Sequence, residues 1–124
     1  MRPDQIRIVE VGPRDGLQNE AQPLTPQERV ALIEQLADAG LRDIEAGSFV
    51  SPRWVPQMAG SDEVLIALAE RKDLRLPVLV PNKKGYELSR GAGAREIAVF
   101  GAASETFSQR NINCSIADSL ARFG

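Results

Sequence analysis

An apolar strand, Ile8-Val9-Glu10-Val11, runs straight into Gly12-Pro13-Arg14-Asp15-Gly16-Leu17-Gln18-Asn19-Glu20, a turn that carries a guanidinium, carboxylates and two amides. Arg14 can present a planar fork to a carbonyl or carboxylate and stabilise negative charge that develops there, which is electrophilic catalysis of the enolate or oxyanion kind. Asp15 offers a hard oxygen ligand for Mg2+ or Mn2+, but one carboxylate does not hold such an ion against water without further ligands. The chain has no histidine, so it lacks the commonest general base and the commonest metal ligand. In isolation an Arg-Asp turn reads as a structural ion pair or cap. Its context argues for more: Gln18 and Asn19 follow at once, and Glu45 stands near the end of a second predicted strand that would open onto the same mouth.

The elements that must position these groups alternate. Ile6–Val11 reads as a strand stopped by Gly12-Pro13. Thr25-Pro26-Gln27-Glu28 has the hydroxyl cap, the proline at the first helical position and the Glu three residues on that open a helix; Val30, Leu32, Ile33 and Leu36 give it an apolar face, and Gly40 stops it. Leu41–Ala46 is a second strand, followed by the loop Gly47–Pro52. A helix is expected from about Ser61, with Asp62 and Glu63 in its first turn suiting the helix dipole. Leu74–Val80 is a third strand; a third helix, Lys83–Gly91, is weakened by Gly85. Glu96–Phe100 is a fourth strand ending in Gly101-Ala102-Ala103-Ser104, and Ser115 caps a final helix to Phe123. This βαβαβαβα order implies parallel pairing with right-handed crossovers. The polar residues gather after strands, as at the active face of a (β/α)8 barrel or the ligand edge of an open sheet. A complete (β/α)8 barrel needs about 250 residues. The 124 residues here are therefore expected to be one unit, the amino-terminal four βα units of an incomplete TIM barrel, whose outer strands keep open, self-associating edges.

With 43% hydrophobic and 26% charged residues, the composition is that of a soluble globular protein. A net charge of -2 with scattered Lys and Arg gives no electrostatic footprint for nucleic acid or an anionic membrane. Met1-Arg2-Pro3-Asp4-Gln5 lacks the apolar run of a signal peptide and the Arg-rich pattern of a transit segment. The lone Cys114 cannot form an internal disulfide, which fits a reducing, cytoplasmic setting. It has no charged neighbour to support a thiolate, so it reads as a packing or pocket residue. Other candidates have equally plain readings. Gly91-Ala92-Gly93-Ala94 precedes a strand and suits a tight connection better than a phosphate cradle. Trp54 and Phe49 either line a mouth or pack a loop; Asn82 is a helix cap or a ligand contact; Lys83-Lys84 are solvated or meet phosphates.

The chain resembles the 3-hydroxy-3-methylglutaryl-CoA lyases through long segments in register: Val9–Glu20, Ser48–Pro52 with Trp54–Met58, Pro77–Leu79 with Pro81-Asn82, Phe100–Glu105 and Asn111–Ser115. The wider superfamily, with isopropylmalate and homocitrate synthases, shares an Arg-Asp-Gly turn, but Gly12-Pro13 before it and Leu17–Glu20 after it favour the lyase. The resemblance implies a metal-dependent TIM barrel that cleaves 3-hydroxy-3-methylglutaryl-CoA to acetyl-CoA and acetoacetate, in leucine breakdown or ketone-body formation. It implies Asp15 as a ligand to Mg2+ or Mn2+, Arg14 as the catalytic group that binds substrate and stabilises the enolate, and Glu45 as its acidic support. Gln18 would shape the pocket, while Arg110 and Asn111 would meet the CoA chain. The partner is then a small-molecule acyl-CoA, with neither nucleic acid nor membrane involved, and a homo-oligomer is expected. The family's remaining ligands, a His-x-His pair and an asparagine, and its loop cysteine have no counterpart in this chain. The 124 residues alone are therefore expected to be inactive.

Overall fold

The computed structural model describes residues 4–124. The order is β1 (Val9–Glu10), α1 (Pro26–Asp38), β2 (Asp43–Ile44), β3 (Gly47–Ser48), α2 (Ser61–Ala67), β4 (Val78–Leu79), α3 (Lys83–Gly91), β5 (Ile97–Ala98), α4 (Glu105–Ile112) and α5 (Ile116–Phe123). Every strand pairing is parallel. β1 pairs with β2 in the register Val9 to Asp43 and Glu10 to Ile44, and β4 sits between β3 and β5 with Val78 opposite both Gly47 and Ile97.

The strands are shorter than the apolar runs that announce them, and the physical reason is which residues find a neighbour. Residues 43–48 act as one extended stretch that changes partner along its length. The Glu45 amide donates to the Glu10 carbonyl (2.8 Å) on one side, whereas the Ile44 and Ala46 amides donate to Arg75 and Pro77 carbonyls (2.9 Å each) on the other. Gly47-Ser48, expected in a loop, therefore belongs to the sheet. A side chain at Gly47 would drive into Ser61, whose Oγ stands 2.5 Å from where a Cβ would lie, so only glycine lets β3 approach the start of α2.

The helix signals in the sequence have direct physical counterparts. Thr25 Oγ1 accepts from the Glu28 amide (3.1 Å) while Glu28 Oε2 accepts from the Thr25 amide (2.7 Å), closing a reciprocal cap. Asn82 caps α3 through Gly85 N (2.8 Å), and Ser115 caps α5 through Asp118 N (3.0 Å). Gly40 ends the α1 turn in the left-handed region (φ 106°), and Gly93 (φ 90°) makes the tight connection into β5. One helix escapes the periodicity reading: α4 lies between the fourth strand and the last helix, making the carboxyl-terminal unit βαα. Its apolar face is sparse, with Phe107 exposed and Ile112 buried, but Ser104 Oγ accepts from Phe107 N (3.2 Å), the same hydroxyl cap that marks the other helices.

The core lies between the parallel strands and one helix layer. Ile44, Ala46, Val78 and Val80 pack against Ile33 and Ala37 of α1 and against Val64, Leu65 and Leu68 of the α2 region. At the amino-terminal ends of the strands, Asp43 faces Arg7 (3.6 Å) and Arg75 (3.5 Å), and Arg75 forks onto Glu96 (3.0 and 2.9 Å). The sheet does not close. Among the described residues nothing pairs with the outer side of β1 or β5, and Ile6 and Ile8 are 88% and 68% exposed, as the open-edge expectation requires.

Gly85 offers a test of which effect governs α3. Glycine in a helix costs about 1 kcal/mol against alanine, yet a Cβ at Gly85 would lie 2.7 Å from the Phe49 carbonyl oxygen, while one at Gly91 meets nothing within 4 Å. Gly85→Ala should lower stability by about 1–3 kcal/mol through overpacking against fixed backbone, and Gly91→Ala should leave it unchanged or higher. The urea midpoints of the two variants check this.

Candidate active site

Beyond β1 the chain winds into a wide helical turn, Gly12–Gly16, in which the amides of Arg14 (3.1 Å), Asp15 (2.7 Å) and Gly16 (3.2 Å) all converge on the Val11 carbonyl. Pro13 is buried beneath it and supplies the fixed φ that starts such a turn. Glu10 closes it from the strand side, its Oε1 accepting from the Gly12 amide (2.9 Å). This role for Glu10 was not read from the sequence. Its signal was a carboxylate two residues before a Gly-Pro turn.

The parallel register then decides what the turn meets. Because Glu45 N is bonded to Glu10 O, the Glu45 side chain emerges beside the turn, and its Oε1 accepts from Arg14 Nε at 2.6 Å. Side-chain exposures of 17% for Arg14 and 10% for Glu45 make this a shielded, charge-assisted hydrogen bond. Asp15, with a side chain 55% exposed, lies on the open side, its Oδ1 3.4 Å from Arg14 Nη1. Gln18 Oε1 is also 3.4 Å from Arg14 Nη1. Asn19 Nδ2 donates to the Asp15 carbonyl (2.9 Å) and Gln57 Nε2 to the Glu20 carbonyl (2.9 Å), anchoring the loop that carries these groups. Arg14, Asp15, Gln18 and Glu45 are thus brought together by two strand ends.

Other expected site residues are placed elsewhere. Arg110 and Asn111 are exposed on α4, and no hydrogen bond or ion pair joins them to the Arg14 group among the described residues. Trp54 is 83% exposed, whereas Phe49 packs against the core. Asn82 is engaged as a cap, and Lys83 and Lys84 are exposed at the start of α3. Cys114 is buried, and its carbonyl accepts from Ser108 Oγ at 2.6 Å, in keeping with a packing role.

Sequence reasoning passed over Arg29, Ser48 and Ser61. Arg29 is fully buried, and burial pushes its guanidinium below the usual arginine range. Its Nη1 donates to the Ala59 carbonyl (2.6 Å) and its Nη2 to Ser61 Oγ (2.9 Å), which also accepts from the Ser48 amide (3.1 Å). A signal existed: Arg29 falls on the inward stripe of α1 with Ile33 and Ala37.

Residues 5–124 match the HMGL-like family. This chain belongs to the HMGL-like family. It is 62% identical to hydroxymethylglutaryl-CoA lyase of Pseudomonas mevalonii over 95% of its length, and 58% identical over 98% to a Pseudomonas aeruginosa lyase named for both 3-hydroxy-3-isohexenylglutaryl-CoA and hydroxymethylglutaryl-CoA. It spans 39% and 40% of those two proteins. Among solved structures, hydroxymethylglutaryl-CoA lyase from Pseudomonas aeruginosa superposes with a TM-score of 0.90 at 58% identity, covering 98% of this chain and 40% of that one. An HMG-CoA lyase from A. baumannii in complex with coenzyme A and 3-methylmalate superposes with 0.87 at 38% identity, covering 94% and 39%. The α/β fold with its unclosed sheets therefore corresponds to part of these HMGL-like structures, and among the described residues no helix is long and apolar enough to cross a membrane.

Whether the residues present suit a divalent cation is a question of donors. Asp15 is one exposed carboxylate with an arginine 3.4 Å away, and the described residues hold no cluster of three or more His, Cys, Asp or Glu able to take a metal. They do not make a complete site. Mn2+ titrated into the 124-residue chain should accordingly show no binding tighter than about 1 mM, the weak end for oxygen-ligand sites; calorimetry reads this directly. Glu45→Gln should lower stability by about 1–3 kcal/mol, because it leaves Arg14 shielded without its anion. The double variant with Arg14→Gln should lose less than the sum of the singles in a urea-unfolding cycle.

Proposed function

We propose that this chain is the amino-terminal part of a hydroxymethylglutaryl-CoA lyase, contributing four βα units to a single TIM-barrel domain. The observation that carries the reading is the Arg14 fork, held by Glu45 at 2.6 Å with Asp15 beside it, on a segment 62% identical to such a lyase. The reaction is a retro-Claisen cleavage of 3-hydroxy-3-methylglutaryl-CoA. The 3-hydroxyl loses its proton, the C2–C3 bond breaks as the C3 oxygen becomes the ketone of acetoacetate, and the electron pair passes to the thioester as an enolate that is protonated to acetyl-CoA.

Arg14 binds the substrate oxygen on which negative charge develops, and a donor of this kind contributes about 10²–10³-fold to turnover. Glu45 positions it, since a guanidinium bonded through Nε keeps its plane and presents its Nη groups to the substrate. Gln18 shapes the pocket beside Nη1. Asp15 is the one ligand these residues would offer to Mg2+ or Mn2+, which polarises substrate oxygens when bound; the remaining ligands that the family resemblance implies are absent from these 124 residues. Arg110 and Asn111 are assigned to the CoA chain, which an exposed helix face permits. The complete enzyme is expected to be a cytoplasmic homo-oligomer acting in leucine degradation or ketone-body metabolism. A relative's name that includes an isohexenylglutaryl thioester supports a lyase whose acyl group varies more than it supports a synthase of the wider superfamily.

The test joins this chain to the remaining portion of the Pseudomonas mevalonii relative and measures acetoacetate release with Mg2+ or Mn2+, using hydroxymethylglutaryl-CoA and its isohexenyl analogue in parallel. Cleavage of either thioester is expected, and a folded chimera that cleaves neither overturns the assignment. In the active chimera Arg14→Gln should lower kcat by about 10²–10³-fold while changing KM much less. The 124 residues by themselves should release no acetoacetate.

A further inference from the structure

Arg29 is a buried cation with no matching anion. Its residue is 0% exposed, no carboxylate of the described residues lies within ion-pair distance, and its Nε has no hydrogen-bond partner. Burying such a charge is unfavourable, and two neutral acceptors only partly offset it. What it touches explains why a charge sits there. Nη1 holds the Ala59 carbonyl, and Nη2 holds Ser61 Oγ. Ser61 Oγ in turn receives the Ser48 amide and donates to the Met58 carbonyl (2.8 Å). A Cβ on Gly47 would stand 3.1 Å from Arg29 Nη2, so the guanidinium lies directly against the backbone two residues beyond Glu45.

We propose that Arg29, acting through Ser61, is a positioning residue for the lyase: it pins the carboxyl end of β3 and so sets the aim of Glu45 onto Arg14. The inference rests on the proposed function. The Arg29 fork and the Ser61 hydroxyl form a single clamp, with Met58, Ala59 and Ser61 closing the long loop on one side and Gly47-Ser48 held on the other. The hydrogen bonds of the clamp end on Ser48, Met58, Ala59 and Ser61 and reach none of Arg14, Asp15, Gln18 or Glu45. Its influence reaches the site only through the backbone of residues 45–48.

The experiment uses the active chimera with Arg29→Met, Arg29→Lys and Ser61→Ala. Arg29→Met should lower kcat per folded molecule by about 10-fold with KM within about twofold, the split expected when an aligning contact is lost. Arg29→Lys should recover to within about threefold, because an ammonium still donates to both acceptors. Ser61→Ala should fall in the same direction, and Arg29→Met combined with Ser61→Ala should be no worse than Arg29→Met alone, since both cut one path. Amide exchange at Ser48 should rise about 10-fold in Arg29→Met, a local opening that is read whether or not the parent turns over. A folded Arg29→Met variant with parental kcat, or unchanged Ser48 exchange, overturns the proposal. If that variant does not fold, parental kcat in Ser61→Ala does the same. A parent chimera without activity counts against the proposed function alone, and the exchange result then still decides the clamp.

Discussion

The site depends on a parallel register. Pairing Glu10 with Ile44 places the Glu45 amide on the Glu10 carbonyl, and in a pleated strand the Glu45 side chain then leaves on the face where the β1 turn brings Arg14. A slip by one residue would send Glu45 into the helix layer and bring Ala46 or Ile44 to the mouth. That slip is opposed from the other face, because Ile44 and Ala46 are buried against α1 and α2. Hydrophobic burial on one side of the strand thus holds a charged pair on the other.

Two turns convert this register into a directed guanidinium. The turn after β1 gathers three amides onto the Val11 carbonyl and has its first amide closed by Glu10, so Arg14 emerges from a backbone with few conformational alternatives. The loop after β3 is tied down by Ser61, by Arg29 and by the Gln57 bond to Glu20. A fork held through Nε at 2.6 Å, with Asp15 and Gln18 3.4 Å from Nη1, has its plane set by the fold, the condition that the proposed role of an oxyanion donor requires.

The unclosed sheets bear on stability as much as on activity. Ile6 and Ile8 are exposed beside the unpaired edge of β1, and Val99 is exposed beyond β5. These residues are apolar and β-branched, suited to a strand surface covered by neighbours, and left uncovered they invite edge pairing with another chain. Relatives more than twice as long have the additional chain from which such neighbours could come.

Much of this was legible in the residues alone. The caps at Thr25, Asn82 and Ser115 depend on local chemistry within three or four residues, and so do the stops at Gly12-Pro13 and Gly40; short-range hydrogen bonds and φ restrictions suffice to specify them. The clustering of Arg14, Asp15 and Gln18 was legible for the same reason. Strand lengths, the recruitment of Gly47-Ser48 into the sheet and the burial of Arg29 were not, because each is decided by a partner 13 or more residues away. Gly85 shows the difference most plainly. Its own sequence surroundings argue that it weakens a helix, yet the Phe49 carbonyl, 36 positions earlier in the chain, makes any larger residue worse. Local sequence determined which groups stood ready for chemistry, and long-range packing decided which of them met, because burial and register are properties of neighbours that only the folded chain brings into contact.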